Sequence, residues 1–174
     1  GKGHNNRLIG LKGQIGRANS FIASADYAME MQDQPMEFNP VVIEGPLNEL
    51  QQNYFPEVTA DMKTMIFTGR NPRTDEDIYE SHLEGGQWTK PKPLEALNTP
   101  QNEGTCSISA DGRVMIITAC EGGGTKRMFF GGCDLFITEK IGGEWQAARN
   151  LGNRVNSRSW ESQPSLSADG RRLF

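Results

Sequence analysis

Three aspartates recur in near-identical surroundings: Asp61 in VTADMKTMIF, Asp111 in ISADGRVMII and Asp169 in LSADGRRLF, spaced 50 and 58 residues apart. Carboxylates repeated in this way could ligate a metal or form an acid–base pair, provided the fold brings them together. Equivalent positions of a repeat fall on different units, however, which places them far apart. Asp followed by Gly is also what a tight hairpin turn asks for, because the pair tolerates positive φ. Asp61, the pair Asp111 and Gly112, and the pair Asp169 and Gly170 are therefore expected to be turn residues rather than catalytic ones.

Other routes to chemistry close quickly. The only histidines are His4 and His82, and no zinc spacing, HExxH or Ser-His-Asp arrangement can be assembled from them. The run GGGTK, Gly122 to Lys126, lacks the spacing of a phosphate-binding loop and reads as an insertion between strands. No Trp follows Asp111 or Asp169 at the distance that a sialidase Asp-box requires. The sequence thus predicts no catalytic, cofactor-binding or metal site. With 18 basic against 22 acidic residues and a net charge of −4, it also predicts no nucleic-acid partner.

Cys120 and Cys133 bracket that glycine-rich insertion, at the end of one expected strand and the start of the next. Antiparallel neighbours at a hairpin mouth bring sulfurs within bonding range, and closing a loop of this size contributes about 3 kcal/mol. A disulfide between them is expected, and it would imply an oxidising compartment. Counting through the Asp111–Gly112 turn sets Cys106 opposite Ile117, where it should be free and buried. The competing reading is three reduced thiols in a cytosolic protein.

Trp88 and Trp145 end the equivalent strings GGQW and GGEW, which suits packing within a unit. Trp160 has no repeat-wide counterpart, since it aligns with Asn102. An exposed Trp there could anchor a partner, with Arg154 and Arg158 beside it. Tucking over a neighbouring unit and a plain solvated surface are the alternatives.

The elements that must hold these residues follow from the repeat. Each unit reads as four short antiparallel strands: a hairpin about the Asp turn, a third strand at DIYESHL or DLFITEK, then a Gly-Gly turn into a short fourth strand. A repeat near 50 residues with this content predicts a mainly β fold, an incomplete β-propeller of four-stranded antiparallel blades. The blades are expected over 50–98 and 102–156, with the start of another over 160–174. Each closes on an Asn, Asn98 or Asn156. The distance of 22 residues from Asp26 to Asn48, against 21 from Asp77 to Asn98 and 22 from Asp134 to Asn156, makes FNPVVIEGPLN a lone fourth strand over 38–46.

Before it, Leu8, Leu11, Ile15, Ala18, Ile22, Ala25 and Met29 recur at spacings of three and four, which predicts a helix with one apolar face. Residues 1–34 are thus a helical segment, read as the end of a helical-repeat array, and 35–174 form the propeller. The 20 Gly and 9 Pro and a mean hydropathy of −0.59 suit short strands joined by many turns. No stretch is apolar for long enough to span a bilayer as a helix. Because the sequence stops at Phe174 inside an expected strand, it reads as part of a longer chain.

The strings EVTADMKTMIFTGR, DEDIYESHLEGGQWTKPKPL and ESQPSLSADGRRLF, with the exits Asn98-Thr99 and Asn156-Ser157, resemble the TolB-type, WD40-like β-propeller repeat of Bacteroidota. The lead-in from Ala25 to Asn48 is similar to the junction between a tetratricopeptide-repeat (TPR) helix and that propeller in OmpA-family envelope proteins. Met62-Lys63 departs from the pattern at the first turn, as does the Cys-flanked insertion. The resemblance implies a periplasmic protein associated with the outer membrane. It further implies envelope or type IX secretion proteins as partners, and a peptidoglycan grip supplied only by a domain outside this sequence. A non-catalytic scaffold is the function expected. The alternatives are the propeller of a prolyl-oligopeptidase-like peptidase, with its hydrolase domain elsewhere, and a carbohydrate-binding propeller.

Overall fold

The computed structural model describes residues 2–32, 34, 37–70, 75–122 and 127–174, with the helix side chains from Leu11 onward. The chain divides into two compact units, Gly1–Val42 and Ile43–Phe174. The first contains helix α1 (Lys2–Gln32). Of its expected apolar face, Leu11, Ile15, Ile22 and Met29 are exposed. Residues 37–44 form no strand, so the lone strand expected over 38–46 is corrected. A strand exists through its hydrogen-bond ladder, and no described strand pairs with this segment.

In the second unit the chain is mainly β. The first sheet comprises β1 (Gln52–Val58), β2 (Thr64–Arg70), β3 (Glu76–Glu84), β4 (Gln87–Trp88) and β5 (Lys92–Pro93). The second repeats it with β6 (Glu103–Ile108), β7 (Val114–Cys120), β8 (Cys133–Ile141), β9 (Glu144–Trp145) and β10 (Arg149–Asn150). All pairings among these ten strands are antiparallel. The fourth strand expected of each unit is broken into two short pieces. The break lies between Trp88 and Lys92 in the first sheet and between Trp145 and Arg149 in the second, the same place in the repeat.

Alternation along the strands divides the apolar residues between two faces. Ile66 and Ile78 of the first sheet join Cys106, Ile108, Met115, Ile117, Ala119 and Phe136 of the second in one core, together with Leu97. Met65, Phe67 and Tyr79 face the other way and pack under Leu47. Each fully buried side chain of this size stabilises the fold by about 1.5–3 kcal/mol relative to exposure. Two antiparallel sheets sharing a core, one sheet per repeat unit, is the relation of neighbouring propeller blades. After them, Leu166 and Leu173 pair across a third hairpin.

A second periodicity is hidden in the backbone. Phe55, Thr105 and Gln163 all lie in the left-handed region, at φ 52°, 36° and 57°, and they share the 50- and 58-residue spacing of the aspartates. At Phe55 and Thr105 the residue is a bulge in the strand register. The bulge aims an N–H at the neighbouring unit: Thr105 N donates to Thr68 Oγ1 at 2.9 Å, and Gln163 N to Thr105 Oγ1 at 3.4 Å. Gly104 permits the approach, since a Cβ there would stand 3.1 Å from the Thr68 side chain.

Candidate interaction surface

The three repeated turns share one geometry. In the second, Gly112 N donates to the Ser109 carbonyl, Ser109 N to the Val114 carbonyl, and Gly112 holds φ 69°. The Asp111 carboxylate accepts from the Arg113 N–H at 3.1 Å and from the Ser109 hydroxyl at 2.6 Å. Asp61 does the same with Lys63 N and Thr59 Oγ1, and Asp169 with Arg171 N and Ser167 Oγ. These bonds favour the charged form, led by the hydroxyl, so all three carboxyls lie below the usual range. The turn is wider than a two-residue hairpin: Asp is the second central residue, and Gly112 or Gly170 follows in the left-handed region.

The separation expected between the aspartates needs correction. Ala60 N donates to the Ala110 carbonyl at 3.3 Å, so the first two turns touch. Asp61 and Asp111 both line a cleft of about 780 Å³, together with Arg113, Glu80 and Lys140. Four of the cleft's charges are engaged, the two aspartates in their own turns and Lys140 with Glu80 at 2.9 Å. Among the described residues no group of His, Cys, Asp and Glu is arranged to hold a metal.

Cys120 and Cys133 are opposite each other in the β7–β8 register and form a disulfide with Cα atoms 3.9 Å apart. Cys106 pairs with Ile117, as the hairpin count requires, and is free and buried, with its thiol pushed up to about 12 by desolvation. Of the insertion between the bonded cysteines, Gly123 to Lys126 lie outside the described residues. The rest is tied down. Asp134, fully buried, accepts Phe130 N at 2.7 Å and Gly131 N at 3.1 Å, and Asn150 Nδ2 donates to it at 2.7 Å. Asn150 Nδ2 also reaches the Met128 carbonyl.

Trp160 is brought to this loop by backbone pairing. Cys133 and Trp160 form a parallel bridge, Gly132 N donates to the Ser159 carbonyl at 3.0 Å, and Glu161 N to the Cys133 carbonyl at 3.0 Å. Gly131 is required here, because a Cβ would collide with the Ser159 carbonyl. The outcome is a hydrogen-bonded platform from which Trp160 projects 71% exposed, Met128 83% and Phe130 47%. Trp160 therefore does not tuck over a neighbouring unit. Arg154 and Arg158, on the same inter-unit loop, are exposed, and neither is in an ion pair among the described residues. Trp88 is half-buried and Trp145 buried within their units.

Sequence reasoning missed Met128 and Phe130 as surface residues and Asp134 as the anchor of their loop. The signal for Asp134 was its place directly after the cysteine that closes the insertion.

No protein family matches the chain by sequence, and no curated protein does. Among solved structures the chain is similar to TolB from Acinetobacter baumannii, at 20% identity and a TM-score of 0.46. The likeness covers 68% of this chain and 25% of that one, so the chain spans about a quarter of the length of TolB.

Proposed function

We propose that this chain is a non-catalytic protein-interaction module of the bacterial cell envelope, with the Met128–Phe130–Trp160 platform as its contact surface. The observation that carries the reading is that platform: large apolar side chains held out to solvent by a buried carboxylate, a disulfide and paired backbones. Exposed aromatics on a pre-ordered loop bind with little ordering cost, and aromatic residues and Arg dominate the energetics of interfaces. The disulfide supports an oxidising compartment such as the periplasm. The repeat strings resembling OmpA-family envelope proteins support the finer reading of outer-membrane association. In that reading the chain ties an outer-membrane or type IX secretion assembly to peptidoglycan through a domain outside it.

A photo-crosslinking residue at position 160, in cells grown without reductant, tests this. Discrete crosslinked envelope proteins are expected at 160 and not at exposed Glu84. Equal crosslinking at both positions, or none at either, would overturn the proposal. The exposure of Trp160 favours a second reading, carbohydrate binding. Glycan-array binding that Trp160→Ala abolishes would replace the first reading with this one.

A further inference from the structure

Two asparagines of the repeat act as backbone clamps. Asn98 Oδ1 accepts the Ile78 N–H at 2.9 Å while its Nδ2 donates to the Ile78 carbonyl at 3.0 Å. Asn156 holds both backbone groups of Leu135 in the same way, at 2.9 Å each. A carboxamide presents one donor and one acceptor side by side, so it takes the N–H that the ladder leaves free at the start of the third strand and shares the carbonyl with Leu94 N or Leu151 N. In each case the clamped residue opens the pattern Ile78-Tyr79 or Leu135-Phe136 and follows an Asp.

Asn48 stands 50 residues before Asn98, in the frame that relates Asp61 to Asp111, and Leu47 stands in the same frame as Leu97. The turn before each asparagine is also alike: Asn98 N donates to the Leu94 carbonyl and Asn156 N to the Gly152 carbonyl, while Asn48 lies in the short 3-10 helix Pro46–Glu49. Yet Asn48 clamps none of the described strands. It is exposed, and among the described residues its side chain's hydrogen bond runs from Nδ2 to the Ile43 carbonyl. Beside it an apolar groove of about 260 Å³ is lined by Leu47, Tyr54, Pro56, Met65 and Phe67. In the first sheet the clamped Ile78 fills the corresponding place, buried in one cluster with Leu97 and Ile66.

We infer that Asn48 and this groove form a docking site for an incoming extended segment of the pattern Asp–aliphatic–aromatic, such as β3 and β8 carry. Asn48 takes both backbone groups of the aliphatic residue, and the groove takes its side chain. A second copy of the chain does not supply this strand, because both of its third strands are already held by its own Asn98 and Asn156. The inference is independent of the Trp160 platform.

The test is fluorescence anisotropy of a labelled peptide EDIYESHLE, the β3 sequence, titrated with the 174-residue chain. Saturable binding is expected, weakened tenfold or more by Asn48→Ala, by Ile43→Asp at the groove edge, or by Asp in place of the peptide's Ile. Asn48 and Ile43 are exposed, so unchanged unfolding midpoints show that both variants fold. Absence of saturable binding, or binding indifferent to Asn48→Ala, would overturn the inference. So would Asn48-dependent dimerisation in sedimentation equilibrium, which would assign the site to a second copy.

Discussion

Asp77 and Asp134 occupy the same place in the repeat, yet replacing each with Asn should move stability in opposite directions. Asp134 is fully buried and accepts three hydrogen bonds, from Phe130 N, Gly131 N and Asn150 Nδ2. An Asn there turns one acceptor into a donor that faces N–H groups. Loss of one charge-assisted bond, with a buried donor left unmatched, costs about 3 kcal/mol. Asp77 accepts no hydrogen bond from the described residues. Burial, with Glu103, Glu95 and Asp75 nearby, lifts its carboxyl from the usual 3.8 to about 6. A raised folded-state value means that protonated Asp77 favours the folded state; that stability is complete below pH 3.8 and lost as pH rises through about 6. The shift sets a ceiling near 3 kcal/mol, and solvent screening of a partly exposed group reduces it to about 1 kcal/mol. Urea unfolding followed by tryptophan fluorescence reads both. At pH 7, Asp134→Asn should lower the midpoint at unchanged m, equivalent to a melting temperature about 6–12 °C lower for a chain of this size. Asp77→Asn should raise the midpoint at pH 7 and leave it unchanged near pH 3.5. If Asp77→Asn destabilises at pH 7, or Asp134→Asn is neutral, the account of the loop anchor and of the repeat's electrostatics fails.

Met62 holds φ 59° where the other two turns have glycine, so Met62→Gly should stabilise by about 1 kcal/mol in chemical denaturation. Gly112→Ala should destabilise by a similar or larger amount, since the added Cβ also meets Thr59 Cγ2 at 3.1 Å. The paired variant Cys120→Ser/Cys133→Ser should lose about 3 kcal/mol without reductant, while dithiothreitol should bring the unmutated chain down to the same midpoint. Asn156→Ala strands the buried Leu135 N–H, while the Leu135 carbonyl keeps the Leu151 N–H, and should cost about 1–3 kcal/mol, read by the same unfolding assay.

The features legible in the sequence were those carried by residue type at fixed spacing. The Asp turns, the cysteine pair and the place of Cys106 opposite Ile117 could be counted along the chain, because hairpin register follows from turn position. The left-handed backbones at Phe55, Thr105 and Gln163 could not be, since three unrelated side chains share the conformation; at Thr105 and Gln163 it aims an N–H at the neighbouring unit. The contact between the Asp61 and Asp111 turns was likewise hidden, since spacing along a chain says nothing of the rise between stacked sheets. The apolar face of α1 was visible as a pattern, but a pattern names no partner. The platform at Met128, Phe130 and Trp160 depends on a parallel bridge between residues that no local signal connects.

The polar residues that recur are largely consumed by the backbone. The turn aspartates hold their own loops, Asn98 and Asn156 clamp the third strands, and Glu103 and Glu161 each take both the N–H and hydroxyl of Thr99 or Ser157. A side chain whose donors and acceptors are satisfied internally has little left to offer a ligand, so the repeat itself is an unpromising place to look for function. Binding capacity should reside where the repeat is broken. The insertion breaks it by adding residues, and Trp160 by standing where the preceding unit has Asn102. Asn48 breaks it by keeping the residue while lacking the strand that the residue holds elsewhere. Apolar surface is left open at each of those departures. Substituting the departures should therefore change binding with little effect on stability, whereas substituting the repeated polar residues should do the reverse.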